Sequence, residues 1–204
     1  GTGNIGIGTA TPSHRLTVVG TTSVSTLDIT DGSIYVGGEK FVTMLTSSNN
    51  YFVGIQAGFG ATGVIGSNFF GDSAGKNATD AFGSNFLGNS AGQNATDASL
   101  SNFFGASAGN AATYASYSNF FGANAGDGAT NAGGSNFFGN AAGSGATDAI
   151  YSNFFGDGAG TSAVTAANSF FIGRNAGLSD TVDNTTGDKS SILIGNYTST
   201  GGFS

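Results

Sequence analysis

The chain of 204 residues contains 37 glycines, 18 phenylalanines, one proline and no cysteine, and only 8% of its residues are charged. The absence of cysteine excludes disulfide bonds and thiolate metal sites. The regular spacing of the phenylalanines argues against disorder, because disordered segments are poor in aromatic residues. The net charge of −7 argues against a nucleic-acid partner, since binding of phosphates needs a basic face. No apolar run reaches the roughly 18 residues needed to insert into a membrane.

Residues 1–49 are predicted to form a β-strand and hairpin module that precedes the rest of the chain. The module opens with the glycine-punctuated stretch GNIGIGT at residues 3–9. Leu16 and Val18 then alternate with polar residues, as on one face of a strand. Farther along, Asp31-Gly32 separates two alternating apolar runs. This dipeptide predicts a hairpin turn.

Residues 50–177 are an uninterrupted array of 17-residue repeats, each opening with a version of Ser-Asn-Phe-Phe-Gly, as at residues 67–71. Counted from this serine as position 1, position 5 is always Gly, position 8 Ala and position 9 Gly. A fixed short period is typical of a solenoid, and the glycine density excludes a helix. The sequence predicts an all-β fold, a parallel β-solenoid (β-roll) with 17-residue coils. Short strands are expected at positions 2–5 and about 10–14.

The paired large residues at positions 3 and 4 should face opposite sides, because adjacent residues on a strand alternate. Position 3 never varies and is predicted to be the structural core: Phe52, Phe69, Phe86, Phe103, Phe120, Phe137, Phe154 and Phe171. Position 4 varies among large apolar residues and is predicted to be an oligomer interface: Phe70, Leu87, Phe104, Phe121, Phe138, Phe155 and Ile172. Soluble monomers rarely expose such a continuous patch. Burial under a flanking loop is the alternative.

Three polar columns follow from the same period. The Asn column at position 2 is predicted to hydrogen-bond along the stack. Asp80 and Asp97 fall at position 14 of neighbouring coils and would attract a hard cation such as Ca²⁺, although a structural role is favoured. The Thr column at position 13 invites an ice-binding interpretation. With one Thr ladder per coil, a solvated strand face is favoured.

The period breaks after Gly177, and residues 178–204 are predicted to form a polar insertion followed by a resumed coil. Loops that bulge from a rigid rod are common binding sites. Asp180, Asp183 and Asn184 are therefore a candidate binding loop, and a plain insertion is the alternative. Because the repeat is cut at the end of the chain, the sequence is interpreted as a piece of a longer protein.

Two motifs resemble known families. Asn4-Ile5-Gly6-Ile7-Gly8-Thr9, with Pro12, Leu16, Val18 and Gly20, resembles a segment of phage tail fibres and of large bacterial surface proteins. The 17-residue array is similar to repeats of long bacterial surface proteins and to the heads of trimeric autotransporter adhesins, whose coils are left-handed parallel β-rolls. The resemblance implies a homotrimer, an extracellular location on a virion tail fibre or bacterial cell surface, and a cell-surface glycan or protein receptor.

We expect a non-enzymatic structural or adhesive segment, a rigid rod in a homotrimeric fibre that spaces or presents a receptor-binding region. The alternative is a binding module whose coil faces hold glycan, Ca²⁺ or ice. An enzyme on a β-solenoid ranks last, because such enzymes need clustered carboxylates and Glu39 is the only glutamate. His14 is the only histidine, which excludes a His-rich metal site within one chain. No catalytic residue, cofactor or metal ligand is assigned.

Overall fold

The computed structural model describes residues 3–11, 13–14, 16–20, 33–36, 38–45, 48–181 and 190–199. The chain forms two compact units, Gly1–Thr30 and Asp31–Ser204. Every regular element in the described ranges is a β-strand. Those ranges therefore offer no helix with the length and apolarity to cross a membrane.

The first unit contains a two-stranded parallel sheet. Strand β1 (Ile5–Ile7) pairs with β2 (Leu16–Val18) so that Ile5 lies opposite Leu16. The pairing continues beyond the strands, because the Val19 amide donates to the Ile7 carbonyl at 2.8 Å. The strand predicted at Leu16 and Val18 is therefore present. The predicted turn at Asp31-Gly32 lies outside the described residues.

The second unit begins with an antiparallel entry into the solenoid. Strand β3 (Ser33–Val36) pairs antiparallel with β4 (Glu39–Leu45), and β4 pairs antiparallel with β5 (Asn50–Val53). Strand β5 then begins the parallel array. Residues 31–49 thus fall in the same compact unit as the repeats.

The repeats form one parallel sheet in which each strand pairs with the equivalent residues of the next coil. Every register step from β5 to β12 equals one repeat, as in Phe103 opposite Phe120. The predicted parallel β-solenoid with 17-residue coils is confirmed. Its later strands are β6 (Asn68–Phe70), β7 (Asn85–Leu87), β8 (Asn102–Phe104), β9 (Asn119–Phe121), β10 (Asn136–Phe138), β11 (Asn153–Phe155), β12 (Phe170–Ile172) and β13 (Ile192–Ile194).

The final strand shows where the array resumes. Strand β13 pairs parallel with β12, and Leu193 lies opposite Phe171. The register step is longer here than one regular repeat, because the polar insertion falls between the two strands. The solenoid therefore absorbs the insertion without losing the pairing of equivalent positions.

The second strand predicted at positions 10–14 is wrong. Only the threonine at position 13 forms a bridge to its equivalents, such as Thr79 to Thr96. The physical reason is left-handed backbone at positions 11 and 14, for example at Asn77 and Asp80 with φ of 54° and 49°, because an extended strand cannot pass through that conformation. A tight turn takes the place of the strand, as where the Ala78 amide at position 12 donates to the Gly75 carbonyl at 3.1 Å.

Hydrogen bonds between coils nevertheless continue around the turns. The Gly75 amide donates to the Ala91 carbonyl of the next coil at 2.8 Å, and the Asn77 amide donates to the Phe59 carbonyl of the preceding coil at 2.8 Å. Each coil is therefore held to both neighbours at its turns as well as along its strand. This arrangement makes the stack a stiff unit whose repeats depend on their neighbours.

Candidate functional site: the aromatic columns of the solenoid

The interior of the solenoid is a continuous stack of phenylalanine rings from position 3. Phe69 to Phe171 in this column are fully buried, and Phe52 at the start is 5% exposed. Successive ring centroids are 4.6–4.8 Å apart, with interplanar angles of 3–9°. The ring spacing matches the spacing of hydrogen-bonded strands, so the rings and the backbone stack in step. The structure places all eight predicted core residues inside.

Glycine at position 9 makes room for each of these rings. A Cβ added to Gly126 would overlap the Phe120 ring, and φ at Gly126 is +65°. Two constraints therefore require glycine at this position: the backbone is left-handed, and the ring lies directly against the backbone, where a side chain would not fit. The buried alanines at positions 8, 12 and 15, such as Ala125, Ala129 and Ala132, complete the narrow interior.

A buried serine ladder at position 1 was missed by the sequence analysis. The Ser118 hydroxyl donates to the Ala132 carbonyl at 2.6 Å and accepts from the Ser135 amide at 3.2 Å. The serines from Ser67 to Ser152 repeat both contacts. The serine recurs at position 1 of the repeats, and this recurrence could have indicated a structural role. In sequence, however, a small residue close to a large aromatic residue indicates only that little room is left for its side chain, and it does not indicate hydrogen bonds.

The stripe is the outward column at position 4, defined by Val53, Phe70, Leu87, Phe104, Phe121, Phe138, Phe155 and Ile172. Within it, four consecutive phenylalanines from Phe104 to Phe155 stack at 4.8–5.2 Å between ring centroids. Phe70 is 40% exposed, and the other members are half-buried. Because these four rings stack on one another, their faces are largely covered and their edges are exposed to solvent.

The stripe widens toward its last coils. Position 2, which is Tyr51 in β5 and Asn from β6 to β11, is Phe170 in β12 and Ile192 in β13, and these last two side chains are 37% and 68% exposed. Phe170 contacts Phe155 edge-on at 6.0 Å between centroids. Ile194, which continues position 4, is 67% exposed. The apolar surface is therefore broader in these coils than the single predicted column.

The predicted asparagine ladder is present beside the stripe. The amide nitrogen of each Asn donates to the amide oxygen of the next one at 2.8–2.9 Å, from Asn68 to Asn153. The ladder ties the coils together, and its members are half-buried. A polar border thus runs along one side of the stripe.

Of the other candidate residues, Asp80, Asp97 and Asp180 are described and are not members of the stripe. Asp180 stands at position 12 and is only 3% exposed, so its side chain lies inside the coil. Asp183 and Asn184 lie outside the described residues. Asp80 is exposed and Asp97 half-buried. In the part of the chain that the structure describes, no three His, Cys, Asp or Glu side chains are grouped as metal ligands.

Comparison with known proteins gives no family assignment. No family model, no curated protein sequence and no solved structure matches this chain.

Proposed function

We propose that this protein is a non-enzymatic rod segment of a homotrimeric surface or tail fibre. The rod spaces or presents a region that binds a glycan or protein receptor outside the cell. The observation that carries the proposal is the stripe, an uninterrupted apolar column along a stiff stack of coils. A fibre needs a rigid repeat and a way to join parallel chains. The stripe, with one large apolar residue from each coil, supplies the means of joining.

The energetics of the stripe favour association of several copies. Full burial of a large apolar side chain is worth about 1.5–3 kcal/mol. If about half of that remains to be gained at each stripe residue, the eight side chains offer roughly 6–12 kcal/mol per chain. Association itself costs about 4–15 kcal/mol. The two ranges are comparable, so each further coil in a longer chain shifts the balance toward assembly.

A closed symmetric assembly fits the stripe because every copy presents the same column. The stripe runs along every coil from Val53 to Ile172 and forms the apolar centre of an interface, and the asparagine ladder is its polar border. Protein interfaces commonly have this arrangement of apolar core and polar rim. Three chains around one axis agree with the resemblance to fibre proteins, and they would bring all three stripes together.

The composition of the coils supports a structural role over catalysis. Glu39 is the only glutamate and His14 the only histidine, and neither belongs to the repeat array. The position 3 phenylalanines, the serines and the asparagines all bond or stack along the rod. Repeated residues of this kind support length and stiffness, which are the properties of a spacer.

Replacement of stripe residues tests the proposal. Phe104, Phe121 and Phe138 changed together to Ser should convert the assembly into monomers or aggregates in light scattering. The matched control changes the half-buried Thr96, Thr113 and Thr130 to Ser and should leave the oligomer unchanged. An unaltered mass for the phenylalanine variant would show that the stripe is not the interface.

A further inference from the structure

A second exposed aromatic surface lies at the corner that precedes the strands. Tyr114, Tyr117 and Tyr151 are 61%, 68% and 67% exposed. With Gly133 and Gly134 they line an open groove of about 230 Å³. Tyr114 occupies position 14, and the other two tyrosines occupy position 17. The groove is thus formed by residues other than those of the stripe.

The groove exists because one coil lacks side chains at this corner. Positions 16 and 17 are both glycine at Gly133-Gly134, whereas the neighbouring coils carry Ser116-Tyr117 and Ile150-Tyr151. Tyr117 and Tyr151 are two coils apart, or about 9 Å at one strand spacing per coil. The Tyr151 ring leans over the gap, since a Cβ on Gly134 would lie 2.5 Å from its Cδ1 atom.

The floor of the groove is backbone that is already hydrogen-bonded. The Gly134 amide donates to the Ser116 carbonyl at 2.9 Å, and the Tyr151 amide donates to the Gly133 carbonyl at 3.0 Å. A ligand therefore has no need to satisfy these groups. What the groove offers is ring faces, the apolar Ile150 side chain and phenol hydroxyls, which both donate and accept hydrogen bonds.

The charges around the groove select against anions. The described residues that line it are tyrosine, serine, glycine and isoleucine, which carry no charge. Asp97 and Asp148 lie in the same column as Tyr114, one coil before it and two coils after it, and the chain carries a net charge of −7. An anionic ligand would be repelled by this field. A ligand with a flat apolar face, neutral charge and several hydroxyls complements the groove.

We propose that this groove binds one neutral hexose unit of a glycan, with the sugar ring stacked on a tyrosine and its hydroxyls bonded to the phenols. Pockets that hold drug-sized ligands begin at about 300 Å³, so the smaller groove suits a single sugar ring. Binding sites of this type are largely apolar with a few placed polar groups. None of the residues that line the groove belongs to the stripe.

Tyrosine fluorescence provides a direct test, because the chain has no tryptophan and six tyrosines. The full 204-residue chain is titrated with neutral tetrasaccharides of glucose, galactose, mannose or N-acetylglucosamine. One of them should give a saturable change. Tyr117→Ala and Tyr151→Ala should each weaken that binding about tenfold, the effect of losing an aromatic contact. The control Tyr51→Ala alters an exposed tyrosine of β5 and should bind as the unaltered chain does.

A variant that fills the groove separates loss of sugar binding from loss of the fold. Gly134→Tyr installs the residue found at the same position in Tyr117 and Tyr151, where φ is 61° and 56°, so the backbone accepts it and the Tyr151 ring need only turn aside. Circular dichroism should be unchanged while sugar binding is lost. The proposal is overturned if no neutral tetrasaccharide binds at millimolar concentrations. It is equally overturned if binding survives Gly134→Tyr, or if a sialylated oligosaccharide or phosphorylcholine binds in preference to the neutral sugars.

Discussion

Truncation of one interior phenylalanine should lower the free energy of unfolding of the whole solenoid. Phe120 is fully buried between Phe103 at 4.7 Å and Phe137 at 4.6 Å. Phe120→Ala leaves a gap of two coil steps between the rings on either side. Emptying a buried aromatic site costs about 3–5 kcal/mol, depending on how far the walls collapse. Hydrogen bonds between coils hold the walls apart, so we expect a loss in the upper part of this range.

The assay for Phe120→Ala is thermal unfolding followed by circular dichroism. A loss of about 3–5 kcal/mol in a chain of this size corresponds to a fall in Tm of roughly 6–20 °C. The matched control is Tyr117→Ala, because that side chain is 68% exposed and surface changes stay within about 0.5 kcal/mol. Equal melting temperatures for the two variants would refute the assignment of position 3 to the interior.

Two further predictions concern the backbone and the serine ladder. Gly126→Ala should destabilise the fold by about 3 kcal/mol or more, because the new methyl overlaps the Phe120 ring. Gly128→Ala, with a similar φ of +66° and nothing within 4 Å, should cost only about 1 kcal/mol in urea unfolding. Ser118→Ala removes both bonds of a buried hydroxyl, including that to the Ala132 carbonyl, and should cost about 2–4 kcal/mol. If Gly126→Ala or Ser118→Ala shifts the midpoint of urea unfolding no more than Gly128→Ala does, the expectation for that variant is contradicted.

The fold could be predicted from the sequence because its signals are periodic. A 17-residue repeat with invariant Phe and Gly sets the coil length, and alternation along a strand separates Phe103 from Phe104. The asparagine ladder follows from stacking identical amides one strand spacing apart. These features depend only on residue type and spacing, which a sequence displays directly.

The turns could not be predicted in the same way. Left-handed backbone is signalled by glycine, but here it also occurs at Ala111 and Tyr114, with φ of 53° and 49°. Neither residue type favours that conformation, so the neighbouring coils impose it. A single sequence therefore allowed a second strand where the structure has turns.

The candidate site was only partly accessible to sequence reasoning. The outward column at position 4 follows from alternation, but the tyrosine groove depends on two glycines lying between tyrosines two coils apart. The burial of Asp180 could have been predicted, because Asp180 stands at position 12, where most other coils bury alanine. Its position in the repeat was a better guide to its surroundings than its place beside a polar insertion.

We propose that chains associate through the stripe into a homotrimer. The most direct test is the mass of the unmodified protein by light scattering coupled to size exclusion, measured over a range of concentrations. We expect a species with three times the mass of one chain, and one chain has a mass of 20.0 kDa. A stable species of one chain mass at the highest concentration would contradict it.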